Sequence, residues 1–405
     1  MPARPTPVAV LQEAVNAVAQ HGTVSAAAEA LAIPRPTLEN RMRAARQRGV
    51  RPSVVDVNSA GYLQGQVKKL RSELAQAQAV SAETREIKQR IIGLKDAALA
   101  QEAPAWCVEP RGHAGSPGVP TLFLSDLHWG EVVKSAQIMG KNAYNLKIAH
   151  ERMKTCVESA IHLLQIISPK MDYPGIVLPL GGDMISGNIH EELTATNEIN
   201  SMPAVLDLYG VLREVIAELA ERFGQVFLPC VSGNHGRDTH KIWAKDRHHT
   251  SFDWLLYCLL AKQFEKDKRV KFQIPDGPDA LYRIYSHRYL LTHGDQFRGG
   301  DGMIGALGPI IRGDHKKRSR NAQVGMDYDT MIIGHWHQLV MLNRLIVNGS
   351  LKGYDEYAYA GNFPFEPPQQ GLWLTHPKYR ITYRMPVYVD RHAKPESSAW
   401  VSVAQ

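Results

Sequence analysis

Long apolar runs are missing from this chain of 405 residues. No stretch of about 18 consecutive apolar residues occurs, so no membrane span is expected. Cysteine is scarce: Cys107, Cys156, Cys230 and Cys258 form neither a Cys-x-x-Cys pair nor a regular spacing. That argues against a zinc ribbon and for a reduced, intracellular protein. The opening stretch, MPARPTPVAVLQEAVNAVAQHG, has one Arg and a Glu inside its apolar pattern, which makes a poor secretion signal.

Charge is unevenly distributed. The net charge is +7, yet residues 1 to 100 alone carry 14 Lys+Arg against 8 Asp+Glu, leaving the rest nearly neutral. A basic N-terminal part on a neutral body suggests an anionic polymer as partner, nucleic acid first.

Residues 7 to 20 carry apolar side chains at helical spacing, Val8, Leu11, Val15 and Val18, and His21-Gly22 ends that helix. Ser25 can cap a short Ala-rich helix ending near Leu31. After a tight turn at Ala32-Ile33-Pro34, a further helix runs from about Arg35 to Arg46. This arrangement over residues 1–58 resembles a helix-turn-helix DNA-binding unit, in which Arg35, Thr37, Asn40, Arg41 and Arg43 would face phosphates and base edges. In residues 59–100, Leu63, Val67, Leu70 and Leu74, then Ile87, Ile91, Leu94 and Ala98, step by 4, 3 and 4. Such a heptad seam over 62–98 could form a homodimer; a single amphipathic helix packed on the body fits equally.

Pro and Gly mark residues 101–118 as a linker. From 119 to 405, apolar strand-like runs alternate with helical stretches, and later segments read mostly as strands. The expected fold is α/β, two packed sheets flanked by helices.

Five apolar runs in this region end in polar residues. Leu122-Phe123-Leu124 ends in Ser-Asp126-Leu-His128, where Asp and His two apart share one side of an extended chain. The others end in Gly182-Asp183, Gly233-Asn234-His235, His293-Gly294-Asp295 and Gly334-His335-Trp336-His337. Strand ends in an open α/β sheet converge on a crevice. Mixed nitrogen and oxygen donors suit Mn2+, Fe or Zn better than Ca2+.

The five motifs together resemble the calcineurin-like metallophosphoesterase superfamily over roughly residues 119 to 350. The resemblance implies a two-sheet sandwich with two divalent metal ions, Mn2+ first, with Fe, Zn or Mg also accepted. One ion would be held by Asp126, His128, Asp183 and His337. The other would be held by Asp183, Asn234, His293 and His335, with Asp183 bridging. Two cations about 4 Å apart stabilise the attacking and leaving oxygens of an in-line displacement, with a metal-bound hydroxide as nucleophile. His235 would contact the phosphate and assist the leaving oxygen.

The protein-phosphatase branch has Gly after the first His and a phosphate-gripping Arg after Gly-Asp. Here Trp129 follows His128, and Met184 follows Asp183. That argues against a Ser/Thr protein phosphatase, and the architecture resembles the DNA-repair nuclease branch more closely. Arg237, His190 and the basic run containing Lys316, Lys317 and Arg318 are substrate-contact candidates, although His190 also fits the start of a helix. The Trp residues at 129, 243 and 336 could stack on bases or pack in the core.

The expected activity is a metal-dependent DNA nuclease. Alternatives are a nucleotide or RNA-end phosphodiesterase or phosphatase, and a DNA-binding regulatory or packaging protein with an inactive phosphoesterase domain. Nucleases of this type encoded by phages or mobile elements fit the architecture, with a cytoplasmic location in a bacterial cell or phage-infected host.

Overall fold

Small side chains let three short helices pack closely near the N-terminus. Helices α1 (Val8–His21), α2 (Val24–Ala30) and α3 (Arg35–Gln47) bury Leu11, Ala14, Val15, Ala17, Ala27, Ala28, Leu38 and Ala45 between them. Gly22 closes α1 in the left-handed conformation, φ 74°, which glycine adopts without a Cβ penalty. The cap of α2 is Thr23, whose side chain accepts from the Ala26 amide, not Ser25, which lies within the first turn. Val8 stays exposed.

The chain divides into two compact units, Met1–Ile91 and Ile92–Gln405. The structure, a computed structural model, describes residues 6–52, 68, 71–72, 102–109, 116–243, 245–297 and 307–390. Apart from the helical residues Lys68, Arg71 and Ser72, the expected heptad seam at 62–98 lies outside the described residues.

The second unit is built on two mixed sheets. Strands β1 (Val119–Phe123), β2 (Ile176–Val177), β3 (Val226–Pro229), β4 (Val270–Gln273), β10 (Gln369–His376) and β11 (Arg380–Tyr388) form one, in the order β11-β10-β1-β2-β3-β4. Strands β1 to β4 run parallel, and β10 and β11 form an antiparallel hairpin at the edge opposite β4. Strands β5 (Asp279–Ile284), β6 (His287–Thr292), β7 (Thr330–Ile333), β8 (Val340–Met341) and β9 (Leu345–Val347) form the other, in the order β5-β6-β7-β9-β8.

Alternation along each strand assigns the layers. Phe123, Val177 and Phe227 meet Ala280, Tyr282, Tyr289, Leu291, Ile332 and Ile346 between the sheets. On the outer face of the first sheet, Leu122, Ile176, Val226 and Leu228 pack against α5 (Leu146–Ile167), α7 (Ser201–Phe223) and α8 (Phe252–Gln263). On the outer face of the second, Leu290, Met331, Ile333, Leu345 and Val347 pack with Ile310 of α9 (Leu307–Gln323). Burial on both faces explains why these strands read as continuous apolar runs.

Part of the expected linker is folded. The short helix α4 (Ala105–Val108) places Trp106 and Cys107 in the core between the sheets. The Trp106 ring lies against Gly175, where a Cβ would not fit. Among the described residues, no helix is long and apolar enough to cross a membrane.

Candidate metal centre

Each motif leaves its strand at the same edge of the sandwich. The turns after β1 and β2 are bonded together: the Asp126 amide donates to Gly182 O and the His128 amide to Asp183 O, both at 3.1 Å. The Gly334 amide donates to His293 O at 2.9 Å, joining the turns after β6 and β7. Asp126, His128, Asp183, His335 and His337 all have φ between 48° and 67°. Non-glycine residues avoid this left-handed region, and its recurrence at one site marks backbone bent to aim side chains. Gly334 is required for a different reason, since a Cβ there would overlap the Asp126 carboxylate and Ser125.

The side chains converge in overlapping groups linked through His128 and Asp183. His128 Nε2 and His337 Nε2 approach to 3.0 Å, and His337 Nε2 lies 3.5 Å from Asp126 Oδ1. Across Asp183, His293 Nε2 lies 3.0 Å from Asp183 Oδ2 and 3.1 Å from Asn234 Oδ1. Ligand atoms of Asp126, His128 and His337, of His128, Asp183 and His235, and of Asp183, His293 and His335 each fall within 4.8 Å of one another. The expected donors, Asp126, His128, Asp183, Asn234, His293, His335 and His337, are thus brought together beside His235.

Electrostatics fit a cation-binding role. Asp126 and Asp183 are fully buried, and no Lys or Arg bonds to either among the described residues. Burial alone would raise both carboxyls, but His337 beside Asp126, and His293 and His235 beside Asp183, hold them below the ordinary carboxylate range. Burial likewise opposes charge on His293, yet Asp183 pushes its pKa up to about 10. Burial lowers His128 and His335 to about 4, so both offer neutral imidazole lone pairs. Buried carboxylates facing imidazole nitrogens, with no Lys or Arg bonded to either among the described residues, match a divalent first-row metal.

His235 has a defined tautomer. A carbonyl can only accept, so Nδ1 donates to Ser186 O at 2.9 Å, and Nε2 is the nitrogen left for substrate. Burial lowers its pKa, with Asp183 and Glu131 opposing.

Sequence reasoning missed several supporting groups. Glu131 Oε2 lies 3.1 Å from His128 Nδ1 and is itself held by buried Lys352 at 2.8 Å, which also pairs with Asp355. Asp253, on α8, accepts the amides of Asp183, Met184 and Gly233 at 3.0, 3.2 and 2.9 Å. One carboxylate therefore ties together the turns carrying Asp183 and Asn234. The spacing of Glu131 from His128 was a weak available clue; nothing local marked Asp253.

The substrate-contact candidates disperse. Arg237 braces its own turn, donating to Asn234 O and Thr239 O. His190 is exposed just before the short helix α6 (Glu191–Thr196), its ring 6.2 Å from that of His235. Lys317 is buried in an ion pair with Asp279. Arg318 pairs with Asp314, bonds the Tyr328 carbonyl and sits over the Tyr328 ring. Consecutive helix positions point in different directions, so of Lys316, Lys317 and Arg318 it is Lys316 that stays exposed toward solvent. Trp129 is core, donating to Asp207 at 2.7 Å, and is not a base-stacking surface.

No family model and no curated protein matches the chain. Among solved structures it is similar to a Streptococcus pneumoniae protein described as a phosphoesterase, at 10% identity over 66% of this chain and 97% of that one, TM-score 0.23. It is also similar to the sulfate thiohydrolase SoxB of Thermus thermophilus, at 9% identity over 67% of this chain and 57% of that one, TM-score 0.28. A Staphylococcus aureus protein described as a 5′-nucleotidase gives 13% identity over 71% and 56%, TM-score 0.30. Likenesses this distant do not assign a function.

Proposed function

We propose that the second unit is a calcineurin-like metallophosphoesterase, a two-metal hydrolase of phosphate esters, and that the whole chain is a metal-dependent DNA nuclease. The single observation that carries the hydrolase reading is the run of overlapping donor groups linked through His128 and Asp183. Asp126, His128, Asp183 and His337 would hold one divalent ion, and Asp183, Asn234, His293 and His335 the other. Bound there, the ions supply Lewis-acid stabilisation of charge on the phosphate oxygens.

The chain's own residues do the rest. Asp183 sets the spacing of the two halves. Glu131 and the Gly181 carbonyl, which accepts from His293 Nδ1 at 2.8 Å, orient the imidazoles. His235 presents Nε2 to the leaving oxygen, where it can hold or deliver a proton. The half-buried Asn234, His235, His335 and His337 leave one side of the centre open to solvent, as a polymeric substrate requires.

The choice of DNA draws on the basic N-terminal hundred residues and on α3. That helix displays Asn40 and Arg43 at its surface and leaves Thr37 and Arg41 partly exposed. Arg35 is engaged with Glu39 at 2.9 Å. We assign α3 the role of a groove-reading helix.

Incubating the protein with supercoiled plasmid, linear duplex, single strands and a small phosphodiester, with Mn2+ or with EDTA, tests both levels. Metal-dependent DNA cleavage that disappears in Asp183→Ala and His235→Ala is expected. Turnover of the diester alone would restrict the function to small substrates. Metal binding without any turnover would overturn the hydrolase reading.

A further inference from the structure

A cavity of about 480 Å³ opens beside the Asn234–His293 side of the centre. Its size falls within the roughly 300–1,000 Å³ of small-molecule sites. Arg247 forms the partition: it lines the cavity, pairs with Asp295 at 2.8 Å and reaches Gly233 O at 3.4 Å. The cavity wall is therefore one residue from Asn234 and two from His293. Phe297 lines the inner side and Trp243 the mouth, where the indole is 46% exposed. Three of the cations around it are ion-paired: Arg247 with Asp295, and Lys317 and Arg320 with the one carboxylate of Asp279. Lys316, exposed on the rim, has no ion pair among the described residues.

We propose that this cavity is a nucleotide subsite, with the base against Trp243 and a phosphate met by Lys316. An exposed indole offers a face to any base, and stacking needs no sequence-specific hydrogen bonds. The unpaired Lys316 supplies charge that a phosphate needs, while Arg247, Lys317 and Arg320 are held in ion pairs and the exposed indole is left to the base. The inference rests on the phosphoesterase reading and names its substrate class: an ester carrying a nucleobase next to the scissile phosphate.

The test uses the full chain in EDTA, titrated calorimetrically with thymidine 5′-monophosphate, deoxyribose 5-phosphate and a short oligothymidylate. Thymidine monophosphate should bind more tightly than deoxyribose phosphate. Trp243→Ala should weaken the nucleotide about 10-fold without changing the sugar phosphate. Trp243→Phe should restore most of the loss, and Lys316→Ala should weaken both ligands. Trp243 dependence of the oligonucleotide alone assigns the subsite to a strand; dependence of the mononucleotide alone assigns it to a free nucleotide. Dependence of neither, or equal affinity for thymidine monophosphate and deoxyribose phosphate, overturns the proposal. Turnover of a thymidine diester with Mn2+ reads the metal centre separately. Nucleotide binding without turnover would overturn the phosphoesterase reading and leave the subsite standing. Turnover indifferent to Trp243→Ala would do the reverse.

Discussion

Asp253 reaches no substrate and holds no metal in the arrangement described above, yet three amides from two motif turns end on its carboxylate. Burial, with Asp183 close by, raises its pKa to about 6. In Asp253→Asn one oxygen becomes an NH2 group facing an amide donor, and an unsatisfied buried donor costs about 1–3 kcal/mol. We expect lower thermal stability and weaker metal binding together, read by calorimetric melting and by Mn2+ titration. An unchanged Mn2+ affinity would show that the turns hold without it. Glu131 supports the centre through charge as well. Burial would raise its carboxyl, but Lys352 and His128 hold it well below the ordinary range. Glu131→Gln removes the anion behind His128 and leaves Lys352 facing Asp355 alone. Loss of such a partner typically weakens metal binding about 10–100-fold, and a Mn2+ titration showing less than a threefold change would refute the role.

At the scale of elements, strand β6 leads directly into His293, the proposed metal ligand, and begins at the buried His287. His287 bonds the Thr330 hydroxyl at 2.9 Å, and burial lowers its pKa from 6.5 to about 4. The folded state therefore binds this proton less readily than the unfolded chain. Its contribution to stability is complete above pH 6.5 and is lost as pH falls toward 4. We expect His287→Gln to flatten the decline in melting temperature across that window, relative to the parent chain. A parallel decline in both proteins would assign the acid sensitivity elsewhere. Helices α5, α7 and α8 fall in stretches that read as helical in the sequence because apolar periodicity runs through them, with caps at Asn145 and Ser251. Helix α9 was read only as a basic run, since its apolar residues are few and its burial rests on Gly308, Pro309, Ile310 and Gly313. Residues 104–108 were read as linker because Pro and Gly dominate their neighbourhood, although Trp106 is anchored in the core.

For the whole molecule, the question is whether the basic N-terminal unit brings the second unit to DNA. Each neutralised phosphate contributes about 0.9 to the slope of log affinity against log salt. In the full chain, Arg41→Ala with Arg43→Ala should reduce that slope by about 2 and weaken binding to duplex of any sequence. An unchanged slope in a band-shift series would remove α3 from the DNA contacts.

What the sequence determined by itself was the list of donors and the strands that carry them. A strand that ends in Asp, Asn or His displays that residue locally, and apolar runs buried on both faces are visible in one dimension. Tertiary structure decided what those donors face and what holds them. It placed Asp183 between two groups, tied two turns to Asp253 and set Glu131 behind His128. It also sent Trp129 into the core, engaged Lys317 with Asp279 and Arg318 with Asp314, and left Trp243 and Lys316 exposed at a cavity beside the centre. These outcomes depend on side-chain direction and on contacts between residues far apart in the chain, which local spacing does not encode.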